Sequence, residues 1–301
     1  KPVKESLEWK NKLLAGAAVL LLGIGGSQIY GSLRYGVFPA NPVWLLSSLP
    51  SSQFLTRSLD NVGGVNAIAL SPNGQKLVSA SFGTIRIWNP RTGRLIRILN
   101  QVHSQKLVRT LAVSPDNSML ASGGDDNNVI LWDLKTGKRV LTIPGHRGGV
   151  NSIAFSTDGQ TLVSGSDDKT VRLWNLNTGE VRRILTGHGG AVNAVAFSPN
   201  GKIVASASSD NTIRLSNVQD GKRTRTFKGH SSWVRTLAFS PDSRSLVSGG
   251  GGIIVWDLKT GKERNSLSGH SQFVSSVAVS RDSKTLVSGS ADRTIKIWRM
   301  P

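Results

Sequence analysis

Residues 149–156, GVNSIAFS, alternate between the two faces of an extended chain and are rich in β-formers. STDG (156–159) follows as a turn, QTLVSGS (160–166) as a second strand and DDKT (167–170) as a second turn. VRLWN (171–175) is a third strand. In LNTGEVRRIL (176–185) a turn at Asn177–Gly179 leads into a fourth. Strands of about five residues, punctuated by Asp, Gly, Asn and Pro, predict an all-β chain. No window of helical period occurs after residue 50.

The pattern repeats. SGSDDKTVRLWN (164–175) returns as SASSDNTIRLSN (206–217) and SGSADRTIKIWR (288–299). Trp88, Trp132, Trp174, Trp256 and Trp298 mark the units, with Ser216 in the slot after Trp174, at steps of 44, 42, 42, 40 and 42 residues. His103, His146, His188, His230 and His270 keep the same beat, and all but His103 follow a glycine. Two markers in phase define a repeat architecture. Four strands per unit of about 40 residues predict a β-propeller whose blades bury their faces on one another.

The Gly-His pairs, the turn aspartates and the terminal Trp-Asp pairs (Trp132-Asp133, Trp256-Asp257) resemble the WD-repeat (WD40) β-propellers over residues 52–301. Six marker slots predict six blades, although seven, the commoner number in the family, is possible. The family's way of closing the ring implies that SQFLTRSL (52–59) supplies the fourth strand of the last blade and removes an open sheet edge.

The first fifty residues are different material. A basic flank (1–12) carries Lys1, Lys4, Lys10 and Lys12. Residues 13–33 then run 21 positions without a charge, about one hydrocarbon thickness as a helix. Residues 34–51 form a linker containing Pro39, Pro42 and Pro50. The uncharged run predicts a transmembrane anchor. A cleaved secretory signal and a helix packed on the propeller are the other readings of it. Four lysines before the run, against Arg34 alone just after it, predict a cytoplasmic N-terminus and an extracytoplasmic propeller in periplasm, lumen or exterior. The layout resembles membrane-anchored, bacterial-type WD-repeat proteins, among them receptor-type kinases with an outer propeller. No kinase motif is present in these residues.

Candidate chemistry is repetitive rather than unique. His103, Ser122, Asp126 and Trp132 fall in one unit. His146, Ser164, Asp168 and Trp174 fall in the next, and His270, Ser288, Asp292 and Trp298 in the last. His188, Ser206 and Asp210 form a set without tryptophan. A lone Ser/His/Asp set would suggest a nucleophilic triad. Several copies around a ring instead imply, by the family resemblance, a structural Asp–His–Ser–Trp hydrogen-bond chain within each blade. The chain has no cysteine and no cluster with metal-ligand spacing, so no metal or cofactor is expected. The run 248–254 lacks the Gly-Lys-Ser/Thr of a phosphate loop.

Surfaces are then the place to look for function. The resemblance implies that partners dock where the first strand enters and the turn after the second strand emerges. The matching positions are Asn66, Arg109, Asn151, Asn193, Arg235 and Ser275. Trp233 and Phe273 stand two before the last pair, and Asp125 and Asp167 stand just ahead of the turn aspartates. Exposed aromatics beside arginine suit a binding hot spot. The net charge of +19 gathers near each fourth strand, at Arg91, Arg94 and Arg97, at Lys135, Lys138 and Arg139, and onward around the ring. Such a belt attracts anionic lipid, acidic protein, glycan or nucleic acid. The low aromatic content and the absence of a nucleic-acid motif argue against the last. The expected function is a non-enzymatic scaffold. A receptor sensory domain and a polyanion binder are its rivals.

Overall fold

The computed structural model describes Leu59 and residues 64–301. The expected basic flank, anchor and linker, and all of the closing strand 52–59 except Leu59, lie outside these residues.

Among the described residues six antiparallel sheets follow one another, five of four strands and one of three, each with its strands in chain order. Blades 1 to 6 occupy residues 67–100, 108–143, 150–185, 192–228, 236–267 and 274–299. Blade 3 shows how sequence sets depth. Its first strand (Val150–Phe155) is largely buried, and its second (Thr161–Ser166) is buried at every position. Its third strand (Val171–Asn175) alternates, and its fourth (Val181–Leu185) is mostly exposed, which is where arginines replace small residues. The register shifts where the third and fourth strands pair at Trp174, and does so again at Trp88, Trp132, Ser216 and Trp256. A bulge there increases the twist of the outer strand.

Close approach between blades explains the glycines of the second strand. A Cβ added at Gly123 would stand 2.6 Å from Val150 Cγ1 of the next blade, and one at Gly165 would stand 2.6 Å from Val192 Cγ1. Gly249 meets Val274 in the same way. Hydroxyls link the same seams. Ile153 N donates to Thr110 Oγ1 (3.2 Å), Val195 N to Ser152 Oγ (3.1 Å) and Val277 N to Thr236 Oγ1 (3.3 Å).

Blade 6 differs. Among the described residues, its first strand (Val274–Val279) makes no packing on that of blade 1 (Ala67–Leu70) like the packing between successive blades. Gly289 has nothing within 4 Å of an added Cβ, and Ser276 Oγ is buried without a hydrogen-bond partner. In blade 1 the third strand pairs with a fourth, Ile85 with Leu99 and Ile87 with Arg97, whereas the segment expected to pair with the third strand of blade 6 lies outside the described residues.

Val102–Gln105 form a 3-10 turn leading into blade 2, carrying the extra residues of that longer unit. Among the described residues no helix is long and apolar enough to cross a membrane.

Candidate functional site: the polar chains and the entry face

The four residue types of the repeated set meet inside each complete blade. In blade 3, Trp174 Nε1–H donates to Ser164 Oγ (2.8 Å) and Ser164 Oγ lies 2.7 Å from His146 Nε2. His146 Nδ1 lies 2.8 Å from Asp168. Blades 2 and 6 repeat this through His103, Ser122, Asp126 and Trp132, and through His270, Ser288, Asp292 and Trp298. Since each serine oxygen accepts from tryptophan, its hydroxyl hydrogen is left to donate to Nε2. The imidazole proton then sits on Nδ1 and points at the carboxylate.

Electrostatics fixes that protonation pattern. Burial pushes His146 down and the Asp168 carboxylate only partly offsets it, so the ring stays neutral. Burial opposes the charge on Asp168. Hydrogen bonds from His146, Thr170 and the Arg147 N–H outweigh it and hold the carboxyl well below its usual range. Ser164 is fully buried. A hydroxyl closed to solvent and already hydrogen-bonded on both sides cannot meet a substrate. The geometry is that of a satisfied internal network.

Blades 1, 4 and 5 depart from the pattern. In blade 1, Trp88 Nε1–H reaches Ser79 Oγ (2.9 Å), while Phe82 takes the Asp slot and is 68% exposed. In blade 4, His188 joins Asp210 and Ser206, each at 2.8 Å, but Ser216 replaces the tryptophan. A recess of about 380 Å³ opens there, lined by His188, Ser206, Arg214, Ser216 and Arg223 among others. In blade 5, Ser248 receives the Trp256 N–H at 2.8 Å and contacts His230 Nε2 at 2.7 Å. The segment from Gly249 to Ile253 contains no acid.

The expected docking positions divide by burial. Asn66, Arg109 and Asn151 are 3%, 4% and 3% exposed, and the last two are tied inward by their side chains. Arg109 pairs with Asp125 of its own blade and, in blade 3, with Asp167 (2.7 Å) and Asn151 Oδ1. Asn151 Nδ2 donates to Asp167 Oδ1 (2.7 Å) and to the Val192 carbonyl (3.1 Å). Asn193 Nδ2 likewise donates to Val234 O (2.9 Å) and Ser209 Oγ (3.0 Å). These side chains stitch one blade to the next. Their asparagine-valine spacing was visible in the sequence, but their pairing with Asp125 and Asp167 was not. Trp233 is 48% exposed, and Arg235 and Phe273 are half-buried. The Arg235 guanidinium lies 4.1 Å from the Phe273 ring centroid and 5.3 Å from that of Trp233, both within cation–π range. Ser275 Oγ turns to Gly289 O (3.1 Å).

The rim is basic as expected: Arg91, Arg94, Arg97, Lys135, Lys138, Arg139, Arg182 and Arg183 are all exposed. Among the described residues no three His, Cys, Asp or Glu side chains converge on a metal position.

Successive antiparallel sheets with buried polar chains define a repeat propeller. Comparison with known proteins agrees. The model of the WD domain, G-beta repeat, family matches six times, at residues 53–89, 93–133, 137–175, 179–216, 221–257 and 261–299. The chain belongs to this family. It is similar to the small ribosomal subunit protein RACK1 of Caenorhabditis elegans, 38% identical over 85 residues, 27% of this chain and 26% of the relative. It is also similar to the protein of that name from Drosophila melanogaster, 31% identical over 101 residues, 32% and 31% of the two chains. The matched stretches span about a third or less of these relatives. Proteins with WD40 repeats generally act as protein-interaction scaffolds.

Proposed function

We propose that this chain is a non-enzymatic scaffold that engages a protein partner through the face carrying Trp233, Arg235 and Phe273. The carrying observation is the arginine held beside two aromatic rings from adjacent blades, one of them half exposed. Aromatic and arginine side chains anchored in this way are the usual centres of binding energy. The burial of Ser164 and its counterparts supports the non-enzymatic reading. Residues 13–33 would hold the scaffold at a membrane with the propeller on the extracytoplasmic side, a reading supported by the uncharged run and the lysines before it. A sensory domain of a larger receptor would use the same face. A bilayer-impermeant protease applied to intact cells tests the placement. Digestion of the propeller from outside fits it, and protection until lysis overturns it.

The exposed basic rim favours a second reading, binding of a polyanion. Affinity set by the rim would fall steeply with salt, whereas affinity set by Trp233 and Phe273 would not.

A further inference from the structure

Five of the six blades end the third strand with a tryptophan whose Nε1–H donates to a buried serine, at 2.8 or 2.9 Å in each. Blade 4 keeps the acceptor and lacks the donor. Ser206 Oγ lies 2.8 Å from His188 Nε2, and His188 Nδ1 lies 2.8 Å from Asp210. The Nδ1 proton points at the carboxylate, so Nε2 accepts from the Ser206 hydroxyl. The serine oxygen then keeps the lone pair that faces an indole N–H in the other blades.

Ser216 stands where that indole would be. The recess of about 380 Å³ at this point is walled by Val171, Ile184 and Leu185 of blade 3. Ser206, Ser216 and His188 line it and are all buried, so they form its floor. Arg223, directly across the ladder from Ser216, is exposed and stands at its mouth. The volume falls within the roughly 300–1,000 Å³ of small-molecule sites.

Two guanidinium groups line the same recess. In blade 3 the Arg172 guanidinium lies 5.8 Å from the Trp174 ring centroid, within cation–π range. Arg214 is its counterpart in blade 4, where Ser216 offers no ring to cover. Burial and the neighbouring Arg223 push Arg214 below its ordinary range, and Asp210 only partly offsets them. Asp210 is itself engaged by His188, Thr212 and the Gly189 N–H. A ring with an N–H fits the slot, and an anion beside it answers the two arginines. A tryptophan side chain within a peptide carries the ring without the acid.

We propose that the recess of blade 4 binds a small indole carboxylate. The ring takes the place of the missing tryptophan and its N–H donates to Ser206 Oγ. Arg214 covers the ring and Arg223 pairs with the carboxylate. The site is separate from the Trp233 face and does not depend on it.

The test titrates the full chain with indole-3-acetate, indole and naphthalene-1-acetate, followed by ligand-observed NMR. Indole-3-acetate should bind at least about tenfold tighter than either of the others, because each of those lacks one polar contact. Ser216→Trp fills the slot and should abolish binding. Arg223→Ala, a change at an exposed position, should remove the advantage of indole-3-acetate over indole. If Ser216→Trp fails to fold, Arg223→Ala decides. Equal binding of indole-3-acetate and indole overturns the anion contact, and equal binding of naphthalene-1-acetate overturns the bond to Ser206. Binding retained in a folded Ser216→Trp overturns the site. So does failure of indole-3-acetate to bind at about 1 mM, the limit of a weak contact. Binding of the peptide Asp-Trp-Asp in the absence of any binding by indole-3-acetate overturns the small-molecule assignment.

Discussion

The Arg235 guanidinium lies 4.1 Å from the Phe273 ring centroid, across the boundary between blades 5 and 6. Elsewhere on this face the same boundary is sealed by asparagine donating to a carbonyl of the next blade, as Asn151 does to Val192 O and Asn193 to Val234 O. Arg235 therefore replaces an inward seal with an outward, partly exposed contact. Truncating it should affect binding more than folding. Arg235→Ala and Phe273→Ala should each weaken partner binding by about 1–2 kcal/mol or more. They should lower stability by less than about 1 kcal/mol, the range of an exposed cation–π pair. Calorimetric titration and denaturant unfolding on the same preparations separate the two effects.

The polar chains predict opposite outcomes at two serines. Ser164→Ala leaves both the Trp174 N–H and His146 Nε2 buried without a partner, and should cost about 2–3 kcal/mol by urea unfolding. Ser216→Trp should fill the recess of about 380 Å³ in blade 4 and bring an N–H toward Ser206. It should stabilise the chain by about 0.5–2 kcal/mol. A loss of stability there would show that the recess is already occupied by well-packed side chains.

Acid should unfold the propeller in two stages. Burial pushes His230 down to about 4, and His146 and His188 are also lowered, first of all by burial. A histidine depressed in the folded state contributes stability that is fully present above its unfolded pKa of about 6.5. That stability is lost as pH falls from there toward the folded value. The loss at His230 is at most about 3 kcal/mol by that linkage. Asp168, Asp210 and Asp292 are also depressed, so their contribution survives until pH drops below about 4 and then disappears. Unfolding free energy measured between pH 7 and 4.5 should fall in the wild type, and fall less in His230→Asn.

Legibility followed periodicity. Trp174 and His146 recur at a fixed step, so the strand order, the blade count and the meeting of His146, Ser164, Asp168 and Trp174 could be expected from the sequence. The pairing of Arg109 with Asp125 and Asp167 could not, because it crosses blades and depends on depth, which the repeat does not encode. Arg109 and Asn151, expected at a docking surface, are 4% and 3% exposed for that reason. The shortened hairpin of blade 5 was visible as a missing aspartate. The burial that depresses His230 was not, because nothing in the letters says how deep its ring lies.

The central claim is that partners bind at the Trp233 end of the propeller. A photo-crosslinking amino acid placed at position 233 of the full chain in its native cells tests it, with position 158, an exposed turn at the opposite end of the blades, as control. Discrete adducts from 233, absent from 158 and lost on Arg235→Ala, are the predicted result. Adducts from 158 alone, or from both positions alike and indifferent to Arg235→Ala, would contradict the account.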